Sequence, residues 1–256
     1  MFKILILALV QSLTEFFPVS SSGHLSLINH FFPKTPADFF LAVFLHGGTL
    51  LATIIYFRSD IVQIFIGLRL QSEKGTESRR YLTAIIVGSI PVGILGLFLE
   101  KWAENVFISL PLLAVMFLIT GLVLAIVSLR NEGKNTLKLP RAFGIGCAQL
   151  VAVLPGISRS GSTISAGLIF GLSRQEAFRF SFLLSLPAVF GAFMIEGAKA
   201  LKAGIAVPLP QIALGFLLSF VFGLLTLHLL RRLVLAGRLV WFSVYLLVLG
   251  LVIVFL

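Results

Sequence analysis

Apolar residues run almost unbroken through six stretches of the chain, about 39–57, 82–99, 111–129, 177–196, 211–230 and 239–256, with polar and basic residues gathered between them. A bilayer's hydrocarbon core of about 30 Å needs roughly 20 such residues in helical form, so each stretch predicts a transmembrane helix. Two further apolar regions do not fit that description. Residues 4–28 are interrupted by Pro18 and "SSSGH", and residues 142–172 by Pro155, Gly156 and "SRSGS". Backbone amides freed by such breaks are tolerated at membrane depth only inside protein or beside a water-filled cavity. Both regions are therefore expected to form re-entrant helical hairpins whose serine loops meet water.

Charge orients this scheme. Fourteen of the 20 Lys and Arg residues fall in the segments 58–81, 130–141, 173–179 and 231–238, against five (Lys3, Lys34, Lys101, Lys199 and Lys202) on the opposite side. The positive-inside rule places the first group in the cytoplasm and both termini outside. Arg159 remains within the membrane. With three spans between the hairpins, the first enters from outside and the second from the cytoplasm, so the two point at each other. Sequence similarity agrees: "QSLTEFFPVSSSG" (11–23) aligns without gaps on "QLVAVLPGISRSG" (149–161), pairing Gln11 with Gln149, Ser20 with Ser158, Ser22 with Ser160 and Gly23 with Gly161. Each copy precedes three spans, which makes an inverted-topology repeat. The expected fold is all-α: one transmembrane domain, 1–256, of two inverted repeats (about 1–130 and 140–256), six transmembrane helices and two re-entrant hairpins.

Composition narrows the class. The chain of 256 residues is 58 % hydrophobic and 12 % charged, with a mean hydropathy of +1.08, which excludes a water-soluble domain. A formal charge of +10 suggests nucleic acid, but the basic residues are scattered in short loops and read instead as topology signals and contacts to anionic lipid headgroups. The start, "MFKILILALVQSL", imitates a signal peptide, yet Glu15 and the serine run follow where a small-residue cleavage site is expected, so it is read as retained. Cys147 stands alone in an apolar run and is read as packing.

The hairpins carry the chemistry. Gln11 and Glu15 are four apart and share a helix face. An ionisable Glu15 at that depth needs a cation, a proton or Arg159 to compensate it. Ser20, Ser21, Ser22 and His24 follow, so hydroxyl, imidazole and carboxylate all lie within ten residues, the cast of a nucleophilic hydrolysis. In the second loop Arg159 suits phosphate oxygens, with Ser158, Ser160, Ser162 and Thr163 as neutral donors and a helix expected from about Ser162 whose free amides would face an anion. Taken singly, the serines read as helix caps, and Arg159 as the structural partner of Glu15. His46, His30, His228 and Glu196 are weaker candidates, His46 as cavity lining or as a packed, hydrogen-bonded side chain.

"QSLTEFFPVSSSGH" and "PGISRSGSTIS" closely resemble the two signature regions of the undecaprenyl-diphosphate phosphatase family, the bacitracin-resistance proteins, and the likeness extends through "FLHGGTLLATIIYF" and "FRFSFLLSLP". This resemblance implies a multi-pass enzyme of the bacterial plasma membrane, its active site open to the outer, periplasmic side. The implied reaction removes the terminal phosphate of undecaprenyl diphosphate, recycles the lipid carrier of peptidoglycan synthesis and confers bacitracin resistance. Carried over by position, Gln11 and Glu15 are associated with a divalent cation (Mg2+ or Ca2+), Ser21 is the nucleophile and His24 the acid/base. Arg159 is catalytic, and Ser20, Ser22, Ser158, Ser160 and Thr163 bind substrate. Many members have glutamate where this chain has Gln11, so Glu15 and the substrate's own phosphates are expected to hold more of the ion. Attack by Ser21 and direct attack by water, with Glu15 or His24 as base, both fit these residues. The implied partners are the polyprenyl diphosphate and membrane lipids, with a homodimer allowed and no nucleic acid. The rival class is a secondary transporter or flippase for a phosphorylated lipid or anion, since inverted repeats with broken helices are also the transporter plan.

Overall fold

The computed structural model describes residues 2–31, 36–106, 109–202 and 208–255; Lys34 lies outside them. All the described secondary structure is helical. In chain order the helices are α1 (Phe2–Phe16), α2 (Ser21–Phe31), α3 (Pro36–Tyr56), α4 (Arg58–Leu68), α5 (Glu73–Val106), α6 (Leu110–Ser128), α7 (Leu139–Val151), α8 (Arg159–Ile169), α9 (Arg174–Lys202), α10 (Leu209–Leu235) and α11 (Val240–Val254). Four of them hold stretches long and apolar enough to cross a bilayer: Glu73–Leu99, Leu110–Ser128, Arg174–Ala200 and Leu209–Leu235. Phe40–Tyr56 with Arg58–Gly67, bent by 60°, makes a fifth if the pair is one span. The protein is a multi-pass membrane protein.

Two expectations are adjusted. The segment 58–81, expected as a loop, begins with helix α4. Its separation from α3 falls at Phe57, which leaves the helical region at φ −96° and ψ 14°. Phe57 is 3 % exposed and packs against Phe178 and Phe182, so the bend is anchored from the α9 side. The last expected span, 239–256, forms a helix of only 15 residues, Val240–Val254. That is about 22 Å at the helical rise, short of the hydrocarbon core.

Between α1 and α2, and again between α7 and α8, the chain breaks where the prolines and glycines predicted it. Each first half packs on a long helix, α1 on α10 and α7 on α5, while α3 packs on α10 and α6 on α11. Hydroxyl groups tie these pairs. Ser12 Oγ donates to the Ser219 carbonyl at 3.1 Å, Ser219 Oγ to the Leu45 carbonyl at 2.8 Å, and Ser243 Oγ to the Gly121 carbonyl at 2.7 Å. Where α7 meets α5 there is no room for a side chain, because a Cβ on Gly146 would lie 2.0 Å from the Gly88 carbonyl oxygen. By contrast α5 and α9, each with an internal proline (Pro91 and Pro187), leave an apolar gap: a Cβ on Gly93 or Gly191 would meet nothing within 4 Å, and both glycines line one cavity.

Gly146→Ala is therefore expected to force two backbones apart and cost about 1–3 kcal/mol. Gly93→Ala is expected to hold or raise stability by up to about 1 kcal/mol, as a helical glycine replaced in open space. Thermal unfolding of the two variants checks the pair; equal midpoints would mean that α7 and α5 do not touch at Gly146.

Candidate active site

The two broken hairpins meet tip to tip. A Cβ on Gly23 would lie 2.8 Å from Gly156 Cα, and one on Gly161 would lie 3.2 Å from Pro18 Cβ. In the gap-free alignment Pro18 corresponds to Gly156 and Gly23 to Gly161, so these two contacts are one contact made reciprocally. Gly156 adopts φ +90°, a conformation L side chains rarely take, and its carbonyl accepts from Thr120 Oγ1 of α6 at 3.0 Å.

Helix starts repeat the same correspondence. Ser20 caps α2, accepting from the Gly23 amide at 3.2 Å, and Ser158 caps α8, accepting from the Gly161 amide at 3.1 Å. In each loop the cap hydroxyl lies 3.3 Å from the serine two residues on, Ser22 or Ser160. Helix α8 thus begins at Arg159, three residues before the expected start. Ser20 differs from Ser158 in being held at φ 69°, a strained value for a non-glycine residue.

Position 21 on one hairpin and 159 on the other converge on one carboxylate. The Glu15 side chain is 9 % exposed; Arg159 Nη2 donates to its Oε1, and Ser21 Oγ donates to its Oε2 at 2.9 Å. Gln11 Nε2 donates to Oε2 at 3.3 Å, and His46 Nε2 stands 3.6 Å from the same oxygen. His46 donates its Nδ1–H to the Ala42 carbonyl at 3.0 Å, which fixes the ring and leaves Nε2 for Glu15. Glu15, Ser21, His46 and Arg159 all line a cavity of about 440 Å³ that continues into the gap between α5 and α9, past Gly93 and Gly191, to Leu97 and Glu196. The first amides of α2 and α8 have no partner within their own helices, so each helix brings a partial positive charge to its Ser21 or Arg159 end.

The sequence has many relatives among known proteins. Residues 4–252 match the family described as bacitracin resistance protein BacA. The chain belongs to this family. It is 43 % identical over 259 residues to the undecaprenyl-diphosphatase of Desulfosudis oleivorans, covering 96 % of this chain and 94 % of that protein. It is 39 % identical over 260 residues to the undecaprenyl-diphosphatase of Treponema denticola, covering 98 % and 95 %. The undecaprenyl-diphosphatase of Methanococcus vannielii is 38 % identical over 257 residues, covering 98 % of each chain. Archaeal relatives mean that family membership does not restrict the source to bacteria.

Within this chain the geometry sorts the sequence candidates. Gln11, Glu15, Ser21 and Arg159 are brought together, and Ser20, Ser22 and Ser158 line the same cavity. Ser160 and Thr163 are 4 % and 1 % exposed, and Thr163 Oγ1 donates to the Arg159 carbonyl at 2.8 Å and meets Ser181 Oγ, so both act beneath the cavity floor. The second loop is thereby drier than expected. His24 is hydrogen-bonded to groups other than Ser21. Its Nδ1 donates to the Ser20 carbonyl at 2.8 Å, its Nε2 takes the Tyr245 hydroxyl at 2.7 Å, and Phe117 packs on the ring edge-on. Both nitrogens being engaged, the imidazole beside Glu15 is His46.

Removing one charge from a buried pair leaves the other uncompensated, at a cost of about 3–5 kcal/mol. Arg159→Met is expected to lose at least about 3 kcal/mol, and adding Glu15→Gln is expected to restore most of it. Equilibrium unfolding of the two single variants and the double variant checks this; additive losses would mean that the charges do not depend on each other.

Proposed function

We propose that this chain is an undecaprenyl-diphosphatase, hydrolysing undecaprenyl diphosphate to undecaprenyl phosphate and inorganic phosphate where the two hairpins meet. One observation carries the reading: Ser21 Oγ is hydrogen-bonded to Glu15 Oε2 beside the Arg159 guanidinium, at the starts of two helices and in a cavity with an apolar exit. Anion, nucleophile and lipid tail each have a complementary place. The diphosphate would lie between the helix starts, taking donors from Arg159, from the Ser22 hydroxyl and from the first amides of α2 and α8. The polyprenyl chain would leave through the gap between α5 and α9.

In the covalent route Ser21 Oγ attacks the terminal phosphorus while its proton passes to Glu15. The bond to the bridging oxygen breaks, and undecaprenyl phosphate departs with the electron pair. Position 21, at the first turn of α2, suits the resulting phosphoserine, whose charge is favoured at a helix N-terminus. Water then attacks the phosphoserine, releasing inorganic phosphate and restoring the hydroxyl. In the direct route Glu15 takes the proton of the attacking water and Ser21 only donates a hydrogen bond. His46, fixed through Nδ1, stands beside the Glu15 carboxylate along either route.

Among the described residues no three His, Cys, Asp or Glu side chains cluster as a metal cage. One carboxylate with the Gln11 amide still fits a Mg2+ or Ca2+ that shares its remaining ligands with substrate phosphates and water. Glu15 and Gln11 would hold that ion, which would supply charge stabilisation at the transferring phosphoryl group.

The reciprocal tip contacts and matched caps support reading the chain as two inverted repeats of one transmembrane domain, about 1–130 and 140–256. In that reading α1–α2 and α7–α8 are re-entrant hairpins, surrounded by α5, α6, α9 and α10, the bent α3–α4 pair and the shorter α11. The cavity runs toward the ends of α5 and α9 that carry Leu97 and Glu196, the ends placed outside by the basic residues, which supports an outward-facing site.

Purified protein in detergent is expected to release phosphate from undecaprenyl diphosphate, to stop when the divalent cation is chelated, and, on the covalent route, to slow by about 1,000-fold or more in Ser21→Ala. Absence of release from folded protein across several cations would move the reading to a carrier of the same lipid. Gly191→Phe, which fills the gap, is expected to raise KM for undecaprenyl diphosphate while sparing a short prenyl diphosphate. Equal loss on both substrates would remove the gap as the tail's seat.

A further inference from the structure

Gln149 on α7 is 2 % exposed, and neither its Nε2 nor its Oε1 has a hydrogen-bond partner. A buried primary amide with both ends unmet is costly, and natural proteins rarely keep one without use. It lines the same cavity as Glu15, Ser21 and Arg159. Its position is set by backbone contact, since Gly146, one turn earlier on α7, lies directly against Gly88 of α5.

The internal repeat shows what is missing. Gln149 aligns with Gln11, whose Nε2 donates to the Glu15 carboxylate four residues on. Four residues after Gln149 stands Val153, which also lines the cavity and offers no acceptor side chain. Where the first repeat places Ser21, the second places Arg159. One hairpin therefore presents a carboxylate and a hydroxyl, whereas the other presents an amide and a guanidinium with no carboxylate of its own. An acceptor must come from outside the chain, next to a fixed positive charge.

Resting on the undecaprenyl-diphosphatase reading, we propose that Gln149 contacts the substrate, with Nε2 donating to a non-bridging oxygen of the diphosphate and Oε1 accepting from a water that enters with it. The amide takes in the second repeat the kind of hydrogen bond that Gln11 makes to Glu15 in the first, with phosphate standing in for the carboxylate.

The test uses the full-length protein in detergent, with Gln149→Leu, which removes both amide ends, and Gln149→Glu, which adds a negative charge. KM for undecaprenyl diphosphate is measured together with the unfolding midpoint, alone and with inorganic pyrophosphate. Gln149→Leu is expected to unfold at or above the wild-type midpoint without ligand, to raise KM about 10-fold or more, and to lose most of the stabilisation by pyrophosphate. Gln149→Glu is expected to raise KM further. A leucine variant that keeps KM within about 2-fold and keeps the pyrophosphate shift would overturn the proposal, leaving water as the amide's only partner. So would a leucine variant that fails to fold, or one with a lowered midpoint and unchanged KM, since the amide would then be structural. Wild type that releases no phosphate would instead defeat the enzymatic reading, and the pyrophosphate shift would still report whether Gln149 meets an anion.

Discussion

The ion pair between Glu15 and Arg159 is the constraint on which the rest of the structure depends. Neither charge is tolerable alone within an apolar fold, and the two lie 144 residues apart in sequence. Bringing them together requires two helices broken at matching depth, with their tips in contact. It also requires glycine at positions 23 and 156, where the backbones touch. On the proposed reading, stability and function meet in this pair, because a phosphate drawn to Arg159 would compete with the carboxylate that holds the guanidinium in place.

One short sequence, used twice, builds both sides. Serine caps at 20 and 158, their neighbours at 22 and 160, and glycines at 23 and 161 keep nearly the same geometry. Chemical differentiation comes at two aligned positions, 15 with 153 and 21 with 159. Glutamate and serine on one hairpin face valine and arginine on the other, so two similar hairpins give an acceptor half and a donor half. Between the long helices the differentiation is steric. Helices α3 and α10 pack closely, with no room for a Cβ on Gly48, whereas α5 and α9 part around Gly93 and Gly191. A lipid substrate needs such an opening; a phosphate alone would not.

Much of this was legible in the residues. Uninterrupted apolar runs marked the long helices, and Pro18, Pro155 and Gly156 marked the breaks. The expense of an intramembrane carboxylate and arginine pointed to their pairing. What hydropathy could not show was set by packing. The α3–α4 bend depends on Phe57 docking against α9, and α11 is short although its apolar run is not. His24 looked like the partner of Ser21 because it lies three residues away, but helix α2 begins at Ser21 and the ring reaches back to the Ser20 carbonyl. His46, far off in sequence, arrives at Glu15 through the path of α3. Its mid-span position beside Gly47 and Gly48 was the available signal. Gln149 appeared in the sequence only as a marker of the repeat, because an absent partner leaves no trace in a pattern of residues.

Orthovanadate bound to the protein and located by crystallography or electron microscopy would test the account most directly. The account places the anion between the starts of α2 and α8, within hydrogen-bond reach of Ser21 and Arg159. An anion found elsewhere, with Arg159 still bound to Glu15 and the space between the helix starts filled by protein, would contradict it.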